Sequence, residues 1–143
     1  MSNLSDSDTI FAVSTGGLRA GVAIIRVSGC GAAEAVRILT RNGPGAARLT
    51  EVRNFREPEG SELIDKGLVV WFQGPASFTG EDVVEFHVHG APLVVRGILE
   101  ILGRLEGFRI AEAGEFIRRA FHSGKLALDQ VEGAADLIAA ETV

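Results

Sequence analysis

Hydrophobic and polar residues alternate along this chain in short runs rather than in long helical stripes. The sharpest alternation lies at 84–89, where Val84, Phe86 and Val88 interleave with Glu85, His87 and His89. Successive strand side chains point to opposite faces, so the apolar three are expected in a core and the polar three in a row on the other side. A half-buried antiparallel strand with its polar face in water produces the same alternation. Further strands are predicted at 9–14, 22–27, 67–72 and 108–111, with a weaker one at 52–56. Helical segments are predicted at 32–39, 93–105 and 114–122, the last closed by Gly124. Turn-forming clusters separate them at 15–19, at Asn42-Gly43-Pro44-Gly45 and at Glu57-Pro58-Glu59-Gly60. Short helices mixed with non-repeating strands imply an α+β fold rather than regular βαβ winding.

The last segment has a different character. Asp129 and Glu132 have capping-box spacing, and Leu128, Val131, Ala135 and Ile138 form an apolar stripe at helical spacing. A helix is expected to begin there, and the sequence reaches Val143 with no C-terminal stop signal, as at a fragment boundary. The expected organisation is therefore one domain over 1–124 and the first helix of a second, helical domain over 125–143.

Composition narrows the function classes. The 143 residues are long enough to bury roughly 68–70% of the unfolded surface. A formal charge of -5 argues against a grip on nucleic-acid backbone by this chain alone, because such binding needs clustered Lys and Arg. The single cysteine, Cys30, excludes an internal disulfide and any multi-cysteine zinc site. No apolar run approaches the ~18 residues of a membrane span, and the acidic start lacks the features of a secretory signal. A cytoplasmic location is the resulting expectation.

Short motifs carry less than they promise. Gly29-Cys30-Gly31-Ala32-Ala33-Glu34 sits where a dinucleotide fingerprint would, but Glu34 occupies a position that needs a small residue for close helix–sheet packing. Gly124-Lys125-Leu126 lacks the hydroxyl and the leading strand of a phosphate loop, so no GTP site is expected in these residues. His87 and His89 share a strand face, which leaves a shared metal or a hydrogen-bonded histidine pair open; Glu85 in the same row is awkwardly placed as a third ligand, and the pair is the favoured reading. Arg26 interrupts an otherwise apolar strand and needs a partner for its charge, either in a structural ion pair or at a ligand. Lys125, one of two lysines, follows the Gly124 helix stop, and from position alone it reads as a solvated side chain.

Taken together, certain segments resemble one family. They are Asp8-Thr9-Ile10, Ala23-Ile24-Ile25-Arg26-Val27-Ser28-Gly29, Gly74-Pro75-Ala76-Ser77-Phe78-Thr79-Gly80-Glu81-Asp82 with Glu85 and His89-Gly90, Gly114-Glu115-Phe116 to Ala120-Phe121, and Gly124-Lys125-Leu126 with Asp129-Gln130-Val131-Glu132. In order and spacing they are similar to the N-terminal region of the bacterial tRNA modification GTPases of the MnmE/TrmE family. The resemblance implies a tetrahydrofolate-binding, dimer-forming domain related to the glycine-cleavage aminomethyltransferases, followed by the start of a helical domain. It implies that the parent protein hydrolyses GTP with Mg2+ and K+ in a G domain whose motifs these residues lack. That protein would act with a flavoprotein partner, MnmG or GidA, to modify the tRNA wobble uridine with a folate-derived one-carbon unit.

By the same resemblance, Arg26, Glu85 and Lys125 are the cofactor-binding residues, for 5-formyl- or 5,10-methylene-tetrahydrofolate. No catalytic residue and no metal ligand is implied. Glu85 would accept the paired ring N–H and amino donors of a pterin, while Arg26 and Lys125 would meet carbonyl or glutamate-tail oxygens. The chain departs from the family pattern at Gly16-Gly17, where Pro-Pro is usual, and at Ala91, Ala113 and Ala127, where Gly, Pro and Asp are usual. Two other readings remain open from sequence: a self-contained folate-dependent aminomethyltransferase-like enzyme, and a purely structural dimerisation domain.

Overall fold

A computed structural model describes residues 6–13 and 21–125. The predicted turn at 15–19 and the stripe at 128–138 lie outside the described residues. The elements in chain order are β1 (Thr9–Val13), β2 (Val22–Ser28), α1 (Ala32–Thr40), β3 (Thr50–Arg56), β4 (Leu63–Phe72), β5 (Val83–His89), α2 (Pro92–Gly103), β6 (Phe108–Ile110) and α3 (Glu115–His122). The six strands form one sheet in the order β3-β4-β5-β2-β1-β6, antiparallel throughout except for the parallel pair β1–β6. The domain is a mixed α/β unit of one sheet and three helices among the described residues.

Alternation decides which face holds the core. Ala23, Ile25 and Val27 of β2, Val69 and Trp71 of β4, and Val84, Phe86 and Val88 of β5 share one face and are buried there with Phe11 and Phe55. Helices α1 and α2 cover that face with Val36, Leu39, Ile98, Ile101 and Leu102. Phe55 meets Phe86 edge-on, with ring centroids 5.4 Å apart. Gly67 leaves room for that pair, because a Cβ there would lie 2.5 Å from the His87 carbonyl oxygen and 3.1 Å from the Phe55 ring. Strand β4 therefore runs four residues further toward its N-terminus than the predicted 67–72, straight through a glycine that looks like a boundary.

The helix ends follow local chemistry. Helix α1 stops where Arg41 turns left-handed (φ 73°) and its N–H reaches the Arg37 carbonyl, just before the Asn42-Gly43-Pro44 cluster. Helix α2 starts with Pro92, whose missing N–H costs nothing in the first turn. Helix α3 ends at Ser123, followed by Gly124 at φ 79°.

The second face carries Val22, Ile24, Arg26 and Ser28 of β2, the row Glu85, His87 and His89 of β5, and Leu68 and Val70 of β4. Helix α3 approaches this face through Phe116, which lies against Arg26. Val52 and Leu68, cross-strand neighbours, remain exposed there at 62% and 37%, an apolar patch on one side of the polar row, and Val22, 42% exposed, lies on its other side.

Candidate functional site

The register of β2 against β5 sets Arg26 directly opposite Glu85. Their side chains meet: Arg26 Nε and Nη2 donate to Glu85 Oε2 at 3.3 and 3.0 Å. The other carboxylate oxygen, Oε1, lies 3.2 Å from His87 Nε2. The pair is neither sealed nor fully solvated, with Arg26 27% and Glu85 19% exposed, so it remains open to a ligand while being partly shielded from water. The Arg26 guanidinium lies 5.5 Å from the Phe78 ring and 5.8 Å from the Phe116 ring, so two aromatic rings border the cation.

The segment from Gly74 to Asp82 is a loop locked by its own polar groups. Asp82 accepts the Gly74 N–H at 2.9 Å, the Ser77 hydroxyl donates to the Glu81 carbonyl, and the Asp82 carbonyl accepts the Gly29 N–H at 2.9 Å. Ser28 Oγ lies 2.7 Å from Thr79 Oγ1 and donates to Glu81 Oε1 at 2.8 Å. With its single proton committed to Glu81, Ser28 accepts from the buried Thr79 hydroxyl. Every hydroxyl and carboxylate of Ser77-Phe78-Thr79-Gly80-Glu81-Asp82 thus holds the loop, and Phe78 is left 40% exposed beside Arg26.

A second charge network anchors α3. Glu115, fully buried, accepts from Arg109 Nη1 at 2.7 Å and Nη2 at 2.6 Å, and from Arg119 Nη2 at 3.3 Å. Arg109 also donates to Asp8 at 2.9 Å, and Arg119 Nη1 reaches both Glu81 oxygens at 3.0 and 3.1 Å. Burial disfavours the charge on Glu115, but hydrogen bonds from Arg109 and the Glu112 amide, with the charges of Arg109 and Arg119, outweigh it and hold the carboxyl at about 2, below its ordinary 4.5. Hydrogen bonding to Glu115 raises the Arg109 pKa despite its burial, with Asp8 adding to the effect.

Glu115 binds its proton more weakly folded than unfolded, so its contribution is complete above pH 4.5 and is lost as pH falls toward 2. The expected loss across that window is on the order of 3 kcal/mol. Urea unfolding midpoints measured between pH 5 and pH 2 should fall steeply, and a midpoint that stays level would contradict the network's role.

Of the residues singled out in the sequence, Arg26 and Glu85 are in contact. Lys125 is exposed; its N–H donates to the Ala120 carbonyl at 2.8 Å, and its Cε lies 3.8 Å from where a Cβ on Gly80 would be. It therefore borders the same loop from the end of α3. The expected histidine pair does not form: His87 turns to Glu85, whereas His89 takes Asp65 of β4 at 2.8 Å. The carboxylates win because each is aligned across or along the sheet and accepts an imidazole N–H more strongly than a second imidazole would. Among the described residues, no three metal-ligating side chains converge.

Phe78, Glu81, Glu115 and Phe116 lie in the segments that carry the resemblance but were assigned no role from sequence, and Arg109 and Arg119 were not singled out. The Glu115–Arg119 spacing of four residues was the available signal, but on a short helix it reads as a surface pair.

The profile of the family described as GTP-binding protein TrmE N-terminus matches residues 9–125. The chain belongs to that family. Among curated relatives, it is 58% identical over 135 residues to the mitochondrial 5-taurinomethyluridine-tRNA synthase subunit GTPB3 of Danio rerio, covering 94% of this chain and 27% of the relative. The corresponding subunit of Homo sapiens is 57% identical over 136 residues, with the same coverage. The tRNA modification GTPase MnmE of Parvibaculum lavamentivorans is 53% identical over 135 residues, covering 94% of this chain and 31% of the relative. The chain spans less than a third of the length of these relatives. Within this TrmE N-terminal domain, the matched region contains the loop and both charge networks apart from Asp8, and it reaches Lys125.

Proposed function

We propose that this domain binds a reduced folate, 5-formyl- or 5,10-methylene-tetrahydrofolate, and forms the dimer of a tRNA modification GTPase. On this reading its fold is of the glycine-cleavage aminomethyltransferase type. The observation that carries the reading is the part-exposed Arg26–Glu85 pair, whose guanidinium is bordered by Phe78 and Phe116. The donor set fits the group. A carboxylate with lone pairs beyond those used by Arg26 and His87 suits the adjacent N–H donors of a pterin, and the two phenyl rings suit its flat apolar faces. Arg26 Nη1, which makes no hydrogen bond among the described residues, and the exposed ammonium of Lys125 suit carbonyl or carboxylate oxygens further along the ligand.

The folate would supply a one-carbon unit to a reaction completed with GTP, Mg2+ and K+ in another domain and with a flavoprotein partner, MnmG or GidA. This chain's own part is to bind and orient the ligand. A self-contained aminomethyltransferase would need residues placed to act on a second substrate, and the described site offers binding groups without an evident nucleophile–base pair. Calorimetric titration with 5-formyltetrahydrofolate should give saturable binding near one ligand per chain, and a flat titration would leave the purely structural alternative.

The exposed pair of Val52 and Leu68 is apolar surface that a second copy would cover beside the folate row. Sedimentation should show a dimer in the micromolar range, with Leu68→Lys shifted toward monomer because a charge would be buried in the contact. A strictly monomeric protein up to millimolar concentration would contradict the dimer.

A further inference from the structure

Two rings flank Arg26, and they belong to segments far apart in sequence. Phe78 sits in the loop after β4, and Phe116 sits on α3. Each lies three residues before one member of an ion pair: Glu81 follows Phe78, and Arg119 follows Phe116. Arg119 Nη1 grips both oxygens of Glu81 at 3.0 and 3.1 Å, with Arg119 6% and Glu81 30% exposed. Neither residue makes a hydrogen bond or ion pair with Arg26 or Glu85 among the contacts described. Resting on the folate reading above, we infer that the Arg119–Glu81 pair is a positioning clamp, which sets the separation of the Phe78 loop from α3 and so the width of the slot that a flat heterocycle enters.

The surroundings of the pair favour positioning over bulk stability. Arg119 is also neutralised by Glu115, so removing Glu81 does not strand its charge in the interior. Glu115 in turn keeps Arg109. The loop, by contrast, meets α3 and its C-terminal end through Glu81 and Gly80, the latter also bordered by Lys125. Gly80 approaches Ser123 closely enough that a Cβ would lie 2.9 Å from the serine side chain. Gly80 is at φ 83° and supplies contact without a directional bond, which leaves Glu81 to fix the loop's angle. Ser28 braces Glu81 from the sheet at 2.8 Å, so loop, sheet and helix are referenced to one carboxylate.

The test is a double-mutant cycle on the full chain, read by titration with 5-formyltetrahydrofolate and by melting temperature. Glu81→Ala should weaken binding about tenfold while the melting temperature falls by only a few degrees. Glu81→Gln, which keeps an acceptor for Arg119 and Ser28, should recover most of that affinity. In a Phe78→Ala background the effect of Glu81→Ala should largely vanish, because a clamp acting through the ring has nothing left to position. If Glu81→Ala does not fold, Arg119→Lys carries the same cycle, since it keeps a charge beside Glu115 but forfeits the two-oxygen grip. Unchanged affinity in Glu81→Ala, or a loss that persists in full without Phe78, would overturn the clamp. If Glu85→Ala abolishes binding while Glu81→Ala does not alter it, the clamp fails and the site stands; if the unaltered protein binds no folate, both fall.

Discussion

Glu85→Ala is expected to lower the affinity for 5-formyltetrahydrofolate by about 10- to 150-fold, the equivalent of ~1.5–3 kcal/mol for a charge-assisted contact. The loss is larger if two pterin donors are left buried without an acceptor. The fold should survive, because Glu85 faces away from the core formed by Val84, Phe86 and Val88 and is itself 19% exposed. Arg26 loses its ion-pair partner but stays 27% exposed between two rings, so the cost to stability should be about 1 kcal/mol or less. Glu85→Gln is nearly as informative. It preserves size but turns one acceptor into a donor that faces either Arg26 or the ligand's own N–H groups. Wild-type affinity in either variant, with an unchanged melting temperature, would mean that this strand face holds no pterin.

The largest loss of stability is expected elsewhere, at Glu115. Its side chain is fully buried and neutralises both Arg109 and Arg119. Its removal leaves Arg109 with Asp8 and Arg119 with Glu81, both part-exposed carboxylates, so the cost should approach the ~3–5 kcal/mol typical of breaking a buried pair. Glu115→Ala should therefore shift the urea midpoint far down at neutral pH, with little change in the slope that reports surface exposed on unfolding. The effect should shrink at pH 2–3, where the unaltered protein has begun to lose the same interaction by protonation. A loss under about 1 kcal/mol at pH 7 would show that solvent screens the network as it would a surface pair.

Strand positions were legible wherever one face was apolar and the other polar. Alternation in 84–89 assigned both faces of β5, and the apolar run in 22–27 assigned β2, because burial imposes a period of two on the side chains. The start of β4 was hidden because Asp65, Lys66 and Gly67 resemble a turn, whereas here Gly67 makes room for Phe55 and Asp65 waits for His89. Partners across the sheet were less legible than faces. Alternation puts His87 and His89 on one side, but only the register of β4 against β5 and the reach of each carboxylate decide whom they meet. Arg26 announced its need for a partner, and the strand register supplied Glu85. The α3 network was unreadable for a different reason. Asp8, Glu81, Arg109, Glu115 and Arg119 come from four separated segments, and burial of Glu115 depends on how those segments pack rather than on any local pattern.

On the folate reading, Glu85 and Arg26, the latter bordered by Phe78 and Phe116, seat the pterin of a reduced folate. A crystal structure of the chain soaked with 5-formyltetrahydrofolate tests it most directly. The pterin edge is expected within hydrogen-bond distance of the Glu85 carboxylate, the ring system against Phe78 or Phe116, and the tail directed toward Lys125. Clear ligand density at another surface, or an unchanged Arg26–Glu85 pair with no ligand at saturating concentration, would contradict it.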